Sequence, residues 1–210
     1  MEHHFSFADS DRSSVVYVLV PPYLQDLLSI LYLPLRQSVL DCASIRELEM
    51  RTLIGSQLIE EFGISYFKEC STLGAVSEKA IKYLLDEGKV LQLEKGDFLF
   101  EYGDRCDCFY VVLKGAIPFF KYHEGRSTYI RDYVFGEEIG FVAMIGLHDR
   151  TGSAKAGQDS IVLEVSSTLF YELHEIFPID FGLLLLNLAR EMSRVIRIIS
   201  NKLVDYDIRN

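Results

Sequence analysis

The chain has 210 residues, 49% of them hydrophobic, and carries 31 Asp and Glu against 21 Lys and Arg, for a formal net charge of −10. That length and apolar share suit one packed domain with an extension. The acidic balance argues against a nucleic-acid partner, because affinity for phosphate backbones rests on clustered Lys and Arg.

Residues 1–67 read as an acidic helical N-terminal extension, and up to residue 65 they hold nine Asp or Glu, four Arg and no Lys. The opening residues Met-Glu-His-His-Phe-Ser lack the basic start of a secretory signal. The four cysteines, Cys42, Cys70, Cys106 and Cys108, are too few and too scattered for a disulfide framework and fit a reducing cytoplasm. The most apolar run, 15–35, is broken by Pro21, Pro22, Gln25, Asp26 and Pro34, so a packed helix pair is expected in place of a membrane span. One short helix is expected over 23–32. A longer one is expected over 35–62, with Val39, Ala43, Met50, Ile54, Leu58 and Phe62 near helical spacing and Gly63 as its stop. This extension is either a partner-binding or dimerising element, or a helix pair that packs on the domain behind it.

A further helix is expected from Ser77, which can cap it, to Glu87, with Gly88 ending it and Ala80, Ile81, Leu84 and Leu85 facing inward. The period then changes. Segments 90–93, 98–100, 109–113, 117–122, 127–133 and 160–165 are short and rich in β-branched and aromatic residues, and turn residues separate them. Such spacing indicates an antiparallel sandwich or jelly-roll barrel. Helix returns over 167–177, and after Pro178 a helix of about 28 residues, about 42 Å long, is expected. Its Leu184, Leu188, Met192, Val195, Ile199 and Leu203 are spaced close to a coiled-coil seam. The fold class is thus α+β: a jelly roll with helices before and after it.

The stretch 136–156 reads as a turn of helix, a loop and a strand. Gly136, Gly140, Gly146 and Gly152 punctuate it, and Phe141-Val142-Ala143-Met144 can form one helical turn after Gly140. Free amides at a helix start attract an anion, and Arg150, ten residues on, can grip a phosphate through two parallel hydrogen bonds. The stretch resembles the phosphate-binding cassette of cyclic-nucleotide-binding domains. The resemblance extends upstream through Lys95-Gly96-Asp97, Phe100-Glu101-Tyr102-Gly103-Asp104 and 107–115. Downstream, Pro178 and Leu188-Ala189-Arg190-Glu191-Met192 look like the long helix of the catabolite activator protein group. It covers roughly 68–205, and the domain is taken as 68–210.

The resemblance implies a signalling regulatory module whose default ligand is cyclic AMP or cyclic GMP. It places the ligand among Ile139, Gly140, Phe141, Val142, Arg150 and Thr151. In the family a glutamate after the cassette glycine accepts the ribose hydroxyl; here that place holds Phe141, which cannot. A second register sets Glu137, in Phe135-Gly136-Glu137, as the ribose contact, at the expense of extra residues before Arg150. The places of the usual base contacts hold Val195 and Ile196. Arg150 can alternatively be a surface residue paired to Asp149 or Glu138. Leu188, Met192, Val195 and Ile199 are expected on a helix that serves as lid and dimer seam, and a homodimer acting on a protein effector is the implied partnership.

The site therefore reads as partly degenerate. The alternatives are a ligand-independent dimeric scaffold, or a sensor of another anion such as a cyclic dinucleotide. Cys106 and Cys108 lack two further ligands for zinc. No metal, cofactor or catalytic residue is expected, since no P-loop, Ser-His-Asp order or paired-carboxylate motif is present.

Overall fold

The structure, a computed structural model, describes residues 50–209. They lie within one compact unit that spans Arg36–Asn210. The helix expected over 23–32 and the part of the next one before residue 50 fall outside the described residues.

The polypeptide enters on strand β1 (Arg51–Leu53), then forms helices α1 (Gly55–Phe62), α2 (Ile64–Lys68) and α3 (Glu78–Glu87). Strands β2 (Lys89–Leu93), β3 (Phe98–Phe100), β4 (Cys108–Lys114), β5 (Ala116–His123), β6 (Arg126–Val134) and β7 (Glu138–Ile139) follow. Helix α4 (Phe141–Gly146), strands β8 (Gly152–Lys155) and β9 (Ser160–Ser166), and helices α5 (Ser167–Ile176) and α6 (Pro178–Arg209) complete it. All strand pairings are antiparallel. They build a five-stranded sheet ordered β1-β2-β9-β4-β7 and a four-stranded sheet ordered β3-β8-β5-β6.

Strand β4 shows why two layers are not enough. Its residues from Cys108 to Leu113 are all buried. Cys108, Tyr110 and Val112 join Leu91, Leu93, Ile117, Ile139 and Ala154 in the core between the sheets. Phe109, Val111 and Leu113 point the other way, into a second core with Leu58, Phe67, Ile81, Leu84, Phe170 and Leu188 from the helices. Alternation along a strand sends successive side chains to opposite faces. A strand apolar at every position therefore needs cover on both sides, and the helices supply it. The result is the antiparallel β sandwich with a long C-terminal helix expected from the pattern.

The helix expected over 35–62 is corrected where it is described. Arg51–Leu53 is a strand, with Thr52 opposite Leu91, and the helix begins only at Gly55. These three residues extend the five-stranded sheet beside β2, and the helix that follows starts at Gly55, where a Cβ would lie 2.0 Å from the Leu85 carbonyl oxygen. β1 and α1, which precede residue 68, and α2, which ends at it, contribute to the same sheet and core. The α3 boundaries follow the expected signals. Ser77 Oγ accepts the Ala80 N–H at 3.3 Å, and the Gly88 N–H reaches Leu84 O.

Helix α6 is fixed near its root by polar bonds. Asp180 accepts from the Ser77 N–H at 2.6 Å and from its hydroxyl at 2.9 Å. Buried Asn187 donates to the carbonyls of Thr72 and Gly74 at 3.1 and 2.7 Å. Leu184 and Leu188 are buried in the helix-side core, with Met192 packed against it.

Gly136 joins the helical layer to the sandwich. Its carbonyl accepts from Thr72 N and Ser71 Oγ, both at 2.9 Å, while its own N–H donates to Val112 O. Its φ is +83°, and a Cβ there would lie 2.7 Å from Ser71 N and 2.8 Å from Cys70 Cα. Gly136→Ala should therefore lower stability by about 2 kcal/mol or more, through backbone strain and overpacking. Urea unfolding should show a lower midpoint with an unchanged slope.

Candidate functional site

The cassette begins where β7 ends. Gly140 has φ +97° and precedes α4, and it presents its carbonyl toward the loop that carries Arg150. A Cβ at Gly140 would lie 2.2 Å from Arg150 Nη1, so the glycine is what admits the guanidinium. The backbone on either side of Arg150 is also fixed: its N–H donates to Asp104 O, and its carbonyl accepts from Gly103, both at 2.8 Å.

Arg150 is only 3% exposed, which corrects the reading of it as a surface residue paired to Asp149 or Glu138. Its Nη1 donates to Gly140 O at 3.2 Å, and its Nη2 donates to Cys108 O at 2.9 Å and contacts Cys108 Sγ at 3.3 Å. The guanidinium carbon lies 4.3 Å from the Phe100 ring centroid and 5.5 Å from that of Tyr110. Its Nε is buried with no hydrogen-bond partner. Among the described residues no carboxylate forms an ion pair with it. Carbonyl dipoles and ring faces soften the cost of burying this cation, but they do not neutralise it.

The groups around it are un-ionised. Burial, then the Glu164 carboxylate, push the Cys108 thiol up to about 12, against the pull of Arg150. Burial raises Tyr110 well above the usual phenol range. Cys106, half-buried, is raised by burial as well, with Arg150 opposing. These thiols are therefore poor nucleophiles at neutral pH. Among the described residues no group of three His, Cys, Asp or Glu could hold a metal.

Phe141 lies elsewhere than expected. Its ring, 1% exposed, packs edge-on against Phe109 at 5.3 Å and Phe170 at 5.9 Å in the helix-side core. Arg150 instead rests on Phe100 and Tyr110, rings of the inter-sheet core. The substitution for glutamate thus does not put a ring against the guanidinium; it draws the start of α4 into the apolar layer. The Phe141 N–H meanwhile donates to Glu138 Oε2 at 3.2 Å, so a carboxylate of the chain itself occupies the first amide of the cassette. Sequence reasoning named Glu138 only as a surface partner for Arg150 and missed it as a cap. Its signal was an acidic residue three positions before a helix start, where a carboxylate can cap.

The remaining expected residues divide. Ile139 is buried between the sheets, Val142 is exposed, and Thr151 is half-buried with its carbonyl accepting from Tyr122 N. Glu137 is engaged: its Oε2 accepts the Val134 N–H, and its Oε1 forms an ion pair with Arg131. On α6, Leu188 and Met192 are taken up by the domain's own core, Val195 is half-buried and Ile199 is exposed. Two surface depressions of about 490 and 460 Å³ lie away from Arg150, one along the β5–β6 hairpin between Lys121 and Ile130, the other around Lys95, Lys114 and Asp159.

Residues 90–176 match the sequence profile of the cyclic nucleotide-binding domain family. Over 79 residues the chain is 30% identical to the lysophospholipase NTE1 of Cryptococcus neoformans, a match that covers 38% of this chain and only 5% of that protein. Among solved structures it resembles a cyclic nucleotide-binding domain from Methylobacillus flagellatus, with a TM-score of 0.66 and 19% identity over 76% of this chain and 90% of that one. It also resembles the catabolite activator protein of Thermus thermophilus, with a TM-score of 0.56 and 21% identity over 65% and 63% of the two chains. Residues 90–176, which carry the cassette and its buried arginine, are thus similar in sequence to the cyclic nucleotide-binding domain family, and the fold is the one its solved members share.

Proposed function

We propose that the chain is a signalling regulatory module that takes the phosphate of a cyclic nucleotide on Arg150 and passes the bound state through α6 to a protein partner. The observation that carries this reading is the guanidinium itself. It is buried beside the cassette glycine, held by two carbonyls and two ring faces, and lacks an anionic partner among the described residues. A phosphate would supply the missing charge in a low-dielectric setting where it counts most. Cyclic AMP or cyclic GMP is the default class, and the free thiols at Cys70, Cys106 and Cys108 are in keeping with a reducing, cytoplasmic setting.

The same geometry makes the affinity low. Binding must move the Gly140 and Cys108 carbonyls off the guanidinium and compete with Glu138 for the Phe141 amide. Neither Phe141 nor Glu137 is placed to accept a ribose hydroxyl without rearrangement, since one ring is in the core and the other side chain is paired to Arg131. These closed contacts favour, as a second reading, a ligand-independent dimeric scaffold.

The two readings separate by titration calorimetry with cyclic mono- and dinucleotides. The sensor reading expects a Kd in the micromolar range or weaker. Arg150→Ala should weaken it about 10- to 100-fold, the cost of one charged phosphate contact. If every ligand in the panel fails to bind the unaltered chain, the scaffold reading stands alone.

For both readings the distal half of α6 is the surface that a second copy would cover. Ile196, Ile198, Ile199, Leu203 and Val204 are exposed there, well past the residues that the core takes up. Val195→Glu combined with Ile199→Glu would place charge in such a seam, at a cost that a dimer does not survive. Light scattering should report a dimer for the unaltered chain and a monomer for the double variant. A variant that stays dimeric moves the interface off α6.

A further inference from the structure

The β5–β6 hairpin sorts its side chains by chemistry. On one face Phe120 lies opposite Tyr129, their ring centroids 5.8 Å apart, and Tyr122 packs on Tyr102 at 4.3 Å. The residues between them take the other face, as alternation along a strand requires. There Lys121 lies opposite Thr128, and His123 opposite Arg126. Directly opposed residues have Cβ atoms about 5 Å apart, and the next residue on the same face lies about 7 Å along the strand, so these four are the corners of one small patch. They line the depression of about 490 Å³, which Glu124 and Ile130 complete. Glu124 and Gly125 have φ of +47° and +76°, the two-residue turn that keeps the strands paired up to their last rung. From α6, Lys202 Nζ donates to the carbonyl of Ile130 at 2.9 Å.

This patch runs against the charge of the chain. In a sequence of net charge −10, Lys121, His123 and Arg126 share one face, and Lys202 is bonded to a residue that lines it. The one carboxylate of the lining, Glu124, lies 3.8 Å from His123 Nε2. Among the described residues no carboxylate forms an ion pair with Lys121 or Arg126. Lys121 is half-buried, and burial pulls its ammonium below the usual lysine range. Cations gathered without acids are stabilised by an anion that enters between them. We propose that the depression is a second anion site, apart from Arg150, and that it takes a doubly charged phosphoryl group, from a free phosphate compound or from a lipid headgroup. Lys121 and Arg126 supply charge-assisted donors, and the Thr128 hydroxyl can donate to a further oxygen. With Lys202, three permanent cations stand against Glu124, a surplus that matches two negative charges and that a single carboxylate does not meet. The site makes no use of the cassette, so it stands or falls apart from the sensor reading.

Proton–nitrogen correlation NMR on the full chain tests it, with pyrophosphate as the probe at about pH 7.5, where a phosphate group is fully charged or nearly so. Saturable shifts should centre on the amides of 121–130. Lys121→Gln and Arg126→Gln should each weaken binding about tenfold, the loss of one charged contact. The two changes together should leave no saturable shift, and shifts that survive them overturn the proposal. Arg150→Ala should leave the hairpin shifts in place; their loss in that variant assigns the phosphate to the cassette and overturns the proposal as well. Co-sedimentation with phosphatidylcholine vesicles, with and without phosphatidic acid, separates the two sources. Binding that needs both phosphatidic acid and the two hairpin cations identifies a headgroup, and pyrophosphate binding without vesicle binding identifies a free phosphate. A chain that binds neither probe overturns the proposal.

Discussion

The constraint on which the structure depends is the two-sided burial of β4. Six consecutive residues, from Cys108 to Leu113, are out of solvent, alternately facing the second sheet and the helices. Each such side chain contributes about 1.5–3 kcal/mol by leaving water, so neither layer can be spared. The site inherits its position from this. Cys108, at the start of the strand, gives its carbonyl to Arg150, and Val111 and Tyr110 in the middle pair with Glu138 and Ile139. The strand that needs both layers also anchors the cassette between them.

Two buried ionisable groups lie close to that strand pairing in the chain, and their surroundings differ. Arg150 is surrounded by neutral acceptors and π faces and keeps a strong field aimed at nothing but dipoles. Glu138 has the Phe141 amide as its hydrogen-bond partner, and burial pushes its carboxyl up to about 7. One main-chain segment, from Glu138 through Gly140, connects them: the acid caps the amide after the glycine, and the arginine caps the carbonyl of the glycine. A shift of either group therefore moves the same peptide units.

Much of this was legible in the residues. The change from helical to alternating period after Gly88, the turn residues between strands, and Ser77 as a cap each reflect a local rule that the packed chain obeys. Arg150 was legible as a phosphate-type residue from its distance to Gly140, although its burial was not, because spacing says nothing of which carbonyls fold over a guanidinium. Phe141 misled for a related reason. Its position in the motif marked it as the residue facing the ribose, whereas the ring follows the apolar demand of Phe109 and Phe170. β1 was read as helix because Met50, Ile54 and Leu58 fit that period. The deciding fact was the pairing of these residues with β2, a contact between segments far apart in the chain. On α6, one continuous apolar stripe was visible, but not that its first half would be used up internally.

The polar bonds at the root of α6 make the helix a lever. Asn187 clamps it to the carbonyls of Thr72 and Gly74, and some 22 residues, or about 33 Å of helix, extend beyond that clamp to Arg209. A tilt of about 10° at the clamp carries the far end about 6 Å, more than one helical turn. Against that swing, the distal half is tied back through the exposed donation from Lys202 Nζ to the Ile130 carbonyl at 2.9 Å. Any rotation at the clamp would thus be amplified along the helix, and the Lys202 bond is what opposes it.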